Sequence, residues 1–218
     1  MSILVIWDVD GTLTDSRQVI MDAYRHAAAE NGLPVPSYEV LKGYMCGGLR
    51  MHMDMLFGPR GEVTDRLMAS FRRYRDARSG DEELFDGIRE TLEELDSKGV
   101  AQAVATMKLE PLAEAQLALL GIRGFFREVA GDSAEGGVSK ADMIRRCVRT
   151  GGYDRVVMVG DCPGDRSAAE EAGVEFVAAA FGYGYSPEVC RREGIPFVER
   201  PTDLPELLGL RGPFGTCI

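Results

Sequence analysis

The stretch Ile3-Leu4-Val5-Ile6-Trp7-Asp8-Val9-Asp10-Gly11-Thr12 decides the fold. Its first five residues are all apolar, so they predict a strand buried on both sides, as in a parallel sheet. The polar, glycine-containing segment 8–12 then indicates a turn directly after the strand. Because open parallel sheets carry their sites at the carboxyl ends of the strands, the two carboxylates of this turn become candidate site residues.

Three further apolar runs follow this strand, with helix-like segments between them. The runs lie at 100–105, 156–159 and 174–180, and the helix-like segments at 88–98, 111–120, 140–150 and 163–172. Within the first helical segment, Ile88, Leu92 and Leu95 recur at spacings of four and three, which predicts an amphipathic helix packed on a sheet. The alternation of strands and helices predicts an α/β fold, a Rossmann-like core with a parallel sheet.

The segment between the first two predicted strands breaks this alternation because it contains helical patterns alone. These lie at 16–31, 37–43, 49–57 and 62–78, and breakers such as Gly47-Gly48 separate them. We interpret residues 15–85 as an inserted helical cap domain, with residues 1–14 and 86–218 forming the core. The joints near 14–15 and 79–86 would act as hinges, and the C-terminal residues 212–218 have no assigned role.

Composition excludes several classes of partner. The 218 residues include 25 Lys and Arg against 35 Asp and Glu, a formal charge of −10, which disfavours nucleic acid and anionic membranes. Apolar runs stay below the roughly 20 residues needed to cross a bilayer. The five scattered cysteines form no Cys-x-x-Cys pair, which argues against a zinc site or a disulfide framework. We expect a cytoplasmic protein, a monomer or a homodimer.

Charged and polar side chains follow the predicted strand ends. They are Asp8 and Asp10, Thr106 and Lys108, and Asp161 and Asp165, with Lys140 opening the helix before the third strand. Because these strand ends share one edge of the sheet, we expect the side chains to gather there. Several ionised carboxylates in a small volume require a cation, and oxygen ligands favour Mg²⁺. Such a site suits phosphoryl transfer, in which a carboxylate attacks phosphorus while a hydroxyl and an amine orient the phosphoryl group.

Four segments resemble, in order, the four motifs of the haloacid dehalogenase (HAD) superfamily. They are 8–13 for motif I, 104–106 for motif II, Lys140 for motif III and 160–165 for motif IV. The helical block is similar to the C1 cap of that superfamily, and segments 84–87, 121–126 and 181–184 resemble its phosphoglycolate phosphatase branch. The chain departs from the family at Met107, where members often have Asn, and at Ala141, where they often have Pro.

The resemblance implies roles for the two motif I carboxylates. Asp8 resembles the family's nucleophile, whose carboxylate also touches Mg²⁺. Asp10 resembles the general acid/base, whose backbone carbonyl is a metal ligand in the family. The family's dehalogenases lack a carboxylate at the position of Asp10, whereas its phosphatases and phosphomutases have one, so the resemblance implies phosphoryl chemistry.

The remaining motif residues resemble metal and phosphate ligands. Thr106 and Lys140 resemble the hydroxyl and the ammonium that orient the phosphate. Asp161 resembles the side-chain metal ligand, and Asp165 is expected to hold metal-bound water or Lys140. A plain helix start, with Ser139 as its N-cap, is the alternative interpretation of Lys140.

Substrate recognition rests on weaker signals. Arg50, beside Gly47-Gly48 in the cap, is a candidate partner for a substrate carboxylate, and a solvated surface Arg is the alternative. His52 is a weaker candidate of the same kind. Lys108 is expected either to contact substrate or to lie on the surface.

The leading hypothesis is therefore a Mg²⁺-dependent phosphatase acting on a small phosphomonoester, phosphoglycolate-like or another metabolite. A sugar phosphomutase of the same superfamily and a non-catalytic binding module remain alternatives. A phosphonate hydrolase resembling phosphonoacetaldehyde hydrolase needs a Schiff-base lysine in the cap, and Lys42 is the only lysine between Asp15 and Asp86, which disfavours that activity.

Overall fold

The computed structural model describes residues 2–78, 80–133, 137–149 and 151–210. Its strands are Ile3–Trp7 (β1), Thr14–Asp15 (β2), Glu83–Leu84 (β3), Ala101–Leu109 (β4), Val129–Asp132 (β5), Arg155–Gly160 (β6), Glu175–Ala179 (β7) and Phe197–Val198 (β8). Its α-helices are Arg17–Glu30 (α1), Tyr38–Leu41 (α2), Leu49–Phe57 (α3), Glu62–Asp76 (α4), Ile88–Ser97 (α5), Glu110–Leu119 (α6), Lys140–Val148 (α7), Pro163–Ala172 (α8), Pro187–Glu193 (α9) and Leu204–Leu207 (α10).

The chain divides into two compact units, residues 1–14 with 84–218, and residues 15–83. Short 3₁₀ turns at Lys42–Tyr44, Arg123–Phe125 and Pro201–Asp203 complete the described elements. The predicted helix end at Thr150 and the C-terminal residues 212–218 lie outside the described residues. In the part of the chain that is described, none of the helices combines the length and the apolarity needed to cross a membrane.

The first unit is built on a six-stranded sheet in the order β5-β4-β1-β6-β7-β8. Each neighbouring pair runs parallel. In this register Trp7 lies opposite Val104 of β4 and Val159 of β6, so the last residue of β1 has a partner on both sides. The predicted α/β fold with a parallel sheet is confirmed, and β1 lies near its centre.

Alternate residues of β1 serve the two faces of the sheet. Val5 and Trp7 belong to the cluster formed with α5, α6 and α10, whereas Leu4 and Ile6 belong to the cluster formed with α7 and α8. All five residues of β1 are buried. The uninterrupted apolar run predicted a strand covered on both faces, and that prediction is confirmed.

A buried polar pair joins β1, β4 and α5 inside the first of these clusters. Trp7 Nε1 donates a hydrogen bond to Gln102 Oε1 at 3.2 Å, and Gln102 Nε2 donates to the carbonyl oxygen of Leu92 at 3.0 Å. Because buried polar groups are costly without partners, this pair fixes the place of α5 against the two strands.

Two strands of the six-stranded sheet escaped prediction, as did the two-residue strands β2 and β3, and one strand is longer than predicted. Strand β5 has four residues that include Gly and Asp, and β8 has two, so neither produces an apolar run. Strand β4 extends to Leu109, although its pairing with β5 becomes irregular between Ala105 and Leu109. The predicted end at residue 105 therefore marks the start of this irregularity, not the end of the strand.

The second unit packs α1 against α4, with the rings of Tyr24 and Phe71 4.7 Å apart. The hydroxyl of Tyr24 lies 2.8 Å from His52 Nδ1, and His52 Nε2 lies 3.1 Å from the carbonyl oxygen of Cys46. His52 is buried, and its burial lowers its pKa. Its contacts within this unit link α1, α3 and the segment before α3.

Replacing Gln102 by Leu tests the buried polar pair. The substitution Gln102→Leu leaves Trp7 Nε1 and the Leu92 carbonyl without this partner, so we expect the free energy of unfolding to fall by about 1–3 kcal/mol. Urea denaturation measures the change. The control Gln18→Leu alters an exposed glutamine of α1 and should change stability by less than about 0.5 kcal/mol. Equal stability of the two variants would refute the structural role of Gln102.

Candidate active site

Three buried carboxylates meet at the carboxyl edge of the sheet. Asp8 follows β1, Asp161 follows the adjacent strand β6, and Asp165 lies in the first turn of α8. One oxygen from each carboxylate lies within 4.8 Å of the others. The amide of Asp8 donates to the carbonyl oxygen of Val159 at 3.0 Å, which ties the turn after β1 to the end of β6. The sheet register thus brings together carboxylates that are far apart in sequence.

Lys140 inserts its ammonium between two of these carboxylates. Its Nζ lies 2.8 Å from Asp8 Oδ1 and forms a second ion pair with Asp165. Ser139 caps α7 by accepting a hydrogen bond from the amide of Asp142 at 3.1 Å. The two interpretations of Lys140 are therefore compatible, since the capped helix start delivers the side chain to the carboxylates.

Asp161 is held by groups from two loops. Its Oδ1 accepts from the hydroxyl of Thr12 at 3.3 Å, and its Oδ2 accepts from the amide of Tyr183 at 2.9 Å. A Cβ added to Gly182 would lie 2.3 Å from Asp161 Cβ, and one added to Gly11 would lie 2.4 Å from Asp161 Oδ2. Both loops therefore need glycine to approach the carboxylate, and Gly11 also has a positive φ of 82°.

A second ammonium lies beside Asp10. Past the start of the irregular pairing, β4 still alternates, with Thr106 buried, Met107 56% exposed and Lys108 buried. Lys108 Nζ lies 3.3 Å from Asp10 Oδ1 and donates a hydrogen bond to Gln116 Oε1. The surface alternative for Lys108 is therefore wrong.

The burial of these carboxylates controls their protonation. Burial raises the pKa of Asp8 to about 6; the ammonium of Lys140 opposes this effect, and the charge of Asp165 adds to it. Burial, together with the nearby charges of Asp8 and Asp165, raises the pKa of Asp161 to about 8. For Lys140, burial alone would lower the pKa, but the two carboxylates outweigh it and raise the pKa. The cluster holds more negative charge than one ammonium balances, so it favours a bound cation.

The donor set also fits a hard divalent metal. Asp8, Asp161 and Asp165 offer converging carboxylate oxygens, which are the ligands that Mg²⁺ prefers. Burial excludes water from these oxygens, so a cation there would offset both the desolvation and the mutual repulsion that raise the pKa values of Asp8 and Asp161.

The candidate site residues predicted from the sequence fall into the carboxylate cluster, a neighbouring group beside it, and one residue of the second unit. Asp8, Lys140, Asp161 and Asp165 contact one another or converge directly. Asp10, Thr106 and Lys108 form a neighbouring group, in which the amide of Lys108 donates to Thr106 Oγ1 at 3.3 Å. Arg50 is exposed on α3 in an ion pair with Asp65, and its role in substrate binding stays a prediction.

Sequence reasoning missed three contributors to the site. Thr12 lies in motif I, so its place in the sequence could have predicted that its hydroxyl contacts the site. The amide of Tyr183 gave none, because a backbone donor carries no side-chain signature. Gln116 gave a weak signal, a polar residue on the face of α6 that also carries Ala113 and Leu117.

Comparisons with known proteins agree with this geometry. A family model for haloacid dehalogenase-like hydrolases matches residues 5–179, which include the entire carboxylate cluster. The tyrosine-protein kinase PtkA of Mycobacterium tuberculosis is 37% identical over 185 residues, covering 83% of this chain and 63% of that protein. A phosphoglycolate phosphatase of Agrobacterium fabrum is 31% identical over 198 residues, covering 87% of this chain and 85% of that protein.

The fold is also shared with solved structures. The crystal structure of a "predicted phosphatase" from Clostridium acetobutylicum superimposes with a TM-score of 0.86, covering 97% of this chain and all of that chain. Its identity of 23% supports the fold alone. Since the family model spans most of the chain, the resemblance seen in the four motifs is confirmed, and the chain belongs to the haloacid dehalogenase-like hydrolase family.

Proposed function

We propose that this chain is a Mg²⁺-dependent phosphatase that hydrolyses a small phosphomonoester through an aspartyl phosphate on Asp8. The observation that carries the proposal is the placement of Lys140 Nζ, 2.8 Å from Asp8 Oδ1, inside a cluster of three buried carboxylates. The relative named phosphoglycolate phosphatase, covered over 85% of its length, supports a phosphoglycolate-like substrate. A cytoplasmic location and a monomeric or homodimeric state remain predictions.

Asp8, Asp161 and Asp165 would hold the metal, together with the backbone carbonyl of Asp10. When bound, Mg²⁺ supplies positive charge that offsets both the carboxylates and the phosphate of the substrate. The ammonium of Lys140 and the hydroxyl of Thr106 would orient the phosphoryl oxygens, and Lys140 also favours the ionised form of Asp8. A nucleophile with a pKa of about 6 is ionised at neutral pH.

The reaction divides into two displacements. In the first, an Asp8 carboxylate oxygen bonds to phosphorus, the ester P–O bond breaks, and the Asp10 carboxyl gives its proton to the leaving oxygen. In the second, water attacks phosphorus while the Asp10 carboxylate takes a proton from it. The bond between phosphorus and Asp8 breaks, which releases inorganic phosphate and restores both carboxyl groups.

A second candidate function is transfer of a phosphoryl group from a nucleoside triphosphate to a tyrosine hydroxyl. The observation that favours it is the 37% identity with a protein named tyrosine-protein kinase. This chain spans 63% of the length of that relative. Incubation with ATP and a tyrosine-containing protein, followed by phosphotyrosine detection, tests this activity directly.

Removing the nucleophile provides the first test. For Asp8→Asn we expect phosphate release from a panel of phosphomonoesters with Mg²⁺ to fall by about 10³-fold or more, because the amide cannot attack phosphorus. EDTA should abolish release by the wild type. The control Asp96→Asn, at an exposed position of α5, should retain full activity.

The other outcomes of this assay identify the alternatives. Isomerisation of a hexose 1-phosphate without free phosphate would indicate a phosphomutase. A Mg²⁺-shifted melting temperature without turnover of any ester would indicate a binding module. Either result, like phosphate release by Asp8→Asn at the wild-type rate, would refute the proposed phosphatase.

The raised pKa values predict how stability depends on pH without metal. Both carboxyl groups stabilise the fold when protonated, and this contribution is lost as pH rises through about 6 for Asp8 and about 8 for Asp161. In EDTA we expect Tm to fall by about 10 °C between about pH 5 and about pH 9, equivalent to about 3–5 kcal/mol. Thermal denaturation across this range measures the loss.

Asp161→Asn is the matched variant for this measurement, because it removes the most perturbed carboxyl group and keeps its shape. Its Tm should fall less steeply with pH, and Mg²⁺ should raise its Tm less than it raises that of the wild type. Parallel pH profiles of the two proteins would contradict the charge imbalance inferred for the cluster.

A further inference from the structure

A chain of polar side chains runs from α6 to the carboxyl group of Asp10. Gln116 Oε1 accepts a hydrogen bond from Lys108 Nζ, and the same Nζ lies 3.3 Å from Asp10 Oδ1. We propose that Gln116, acting through Lys108, is a positioning residue that aims the Asp10 carboxyl group at the leaving oxygen. This inference rests on the proposed function, in which Asp10 protonates that oxygen.

Gln116 occupies a place where an apolar residue would be ordinary. It shares the buried face of α6 with Ala113 and Leu117, and only 2% of its surface is exposed. A buried amide destabilises the fold unless its hydrogen-bonding groups have partners, and its oxygen has Lys108 Nζ. The sequence thus places a polar side chain on the core-facing side of a helix at the point where it can hold an ammonium.

Lys108 is equally constrained from its own strand. Its side chain is 5% exposed, and a buried ammonium needs a charged partner, which Asp10 provides. The backbone amide of Lys108 donates a hydrogen bond to Thr106 Oγ1. Lys108 thus also holds the hydroxyl group that is expected to orient the phosphate. The pairing of β4 with β5 is irregular between Ala105 and Leu109. The positions of Thr106 and Lys108 are therefore not fixed by regular hydrogen bonds between these strands.

These contacts fix the position of Lys108 Nζ from two directions, the amide of Gln116 and the carboxylate of Asp10. An ammonium held this way restricts the orientation of the carboxylate that it contacts. General acid catalysis depends on such placement, because the proton must lie within hydrogen-bond reach of the leaving oxygen. In this proposal Lys108 acts on the substrate through Asp10.

The leaving group of the ester reports this role. An alkoxide departs poorly without a proton, whereas 4-nitrophenolate departs readily without one, so misplacing Asp10 slows the first displacement selectively for alkyl esters. In the variant Gln116→Leu we expect the single-turnover rate constant for leaving-group release, which reports the first displacement alone, to fall about 10- to 100-fold for phosphoglycolate and to stay within about 3-fold of wild type for 4-nitrophenyl phosphate. The ester concentration that gives the half-maximal single-turnover rate should stay within about 2-fold of wild type for both esters, since no substrate contact is removed.

Lys108→Met should reproduce this selective loss, which also covers the case that Gln116→Leu does not fold. The matched control is Gln102→Leu, which removes another buried glutamine from the strand that carries Lys108, one whose side-chain partners are Trp7 and Leu92 and not Lys108 or Asp10. Its ratio of alkyl-ester to aryl-ester rate constants for leaving-group release should equal that of the wild type. Equal losses of these rate constants on both esters in Gln116→Leu, or an increase in the half-saturating ester concentration in Lys108→Met, would overturn the positioning role.

A measurement without catalysis separates this inference from the proposed function. Mass spectrometry after brief treatment with an acetylating reagent reports the reactivity of Lys108, which should rise several-fold in Gln116→Leu and stay unchanged in Gln102→Leu. A wild type that hydrolyses neither ester refutes the proposed phosphatase and with it the catalytic role of Asp10. Unchanged reactivity of Lys108 in Gln116→Leu refutes the holding contact itself.

Discussion

Electrostatic repulsion among buried carboxylates is the constraint on which this site depends. Asp8, Asp161 and Asp165 place one oxygen each within 4.8 Å of the others, and Lys140 supplies the ammonium that contacts two of them. Such an arrangement persists because the parallel register of β1 and β6 fixes the carboxylates while the capped start of α7 fixes the lysine. The fold therefore holds like charges close together, at a cost in stability, at a place where a bound cation would offset them.

The two carboxylates of the first turn have separate ammonium partners. Lys140 reaches Asp8 from a helix, and Lys108 reaches Asp10 from the irregular end of β4. In the proposed reaction, Asp8 must be ionised when it attacks, whereas Asp10 must exchange a proton in each half-reaction. Separate partners from separate elements allow one turn of chain to carry two carboxyl groups with different roles.

The sequence was informative where a signal is local and uninformative where burial arises from tertiary packing. An apolar run followed by Asp8 and Asp10 predicts a strand with a candidate site at its carboxyl end. The structure contains that strand and places the two carboxylates at the edge of the sheet. The short strands β5 and β8 carry no such run. From the sequence, Gln116 looks like an ordinary polar residue on the exposed side of an amphipathic helix. Only the packing of α6 in the structure shows that its side chain faces the interior.

The relatives of this chain carry the names of a phosphatase and of a kinase, and the proposed chemistry accommodates both. A phosphoryl group on Asp8 can pass to water or to a hydroxyl group, and in either case the acceptor must lose a proton as it attacks. In the proposed mechanism Asp10 takes that proton in both reactions. The contacts that hold Asp10 through Lys108 and Gln116 would therefore assist both hydrolysis and phosphoryl transfer. Which acceptor reacts would then depend on the residues that let water or a hydroxyl group reach the phosphorus.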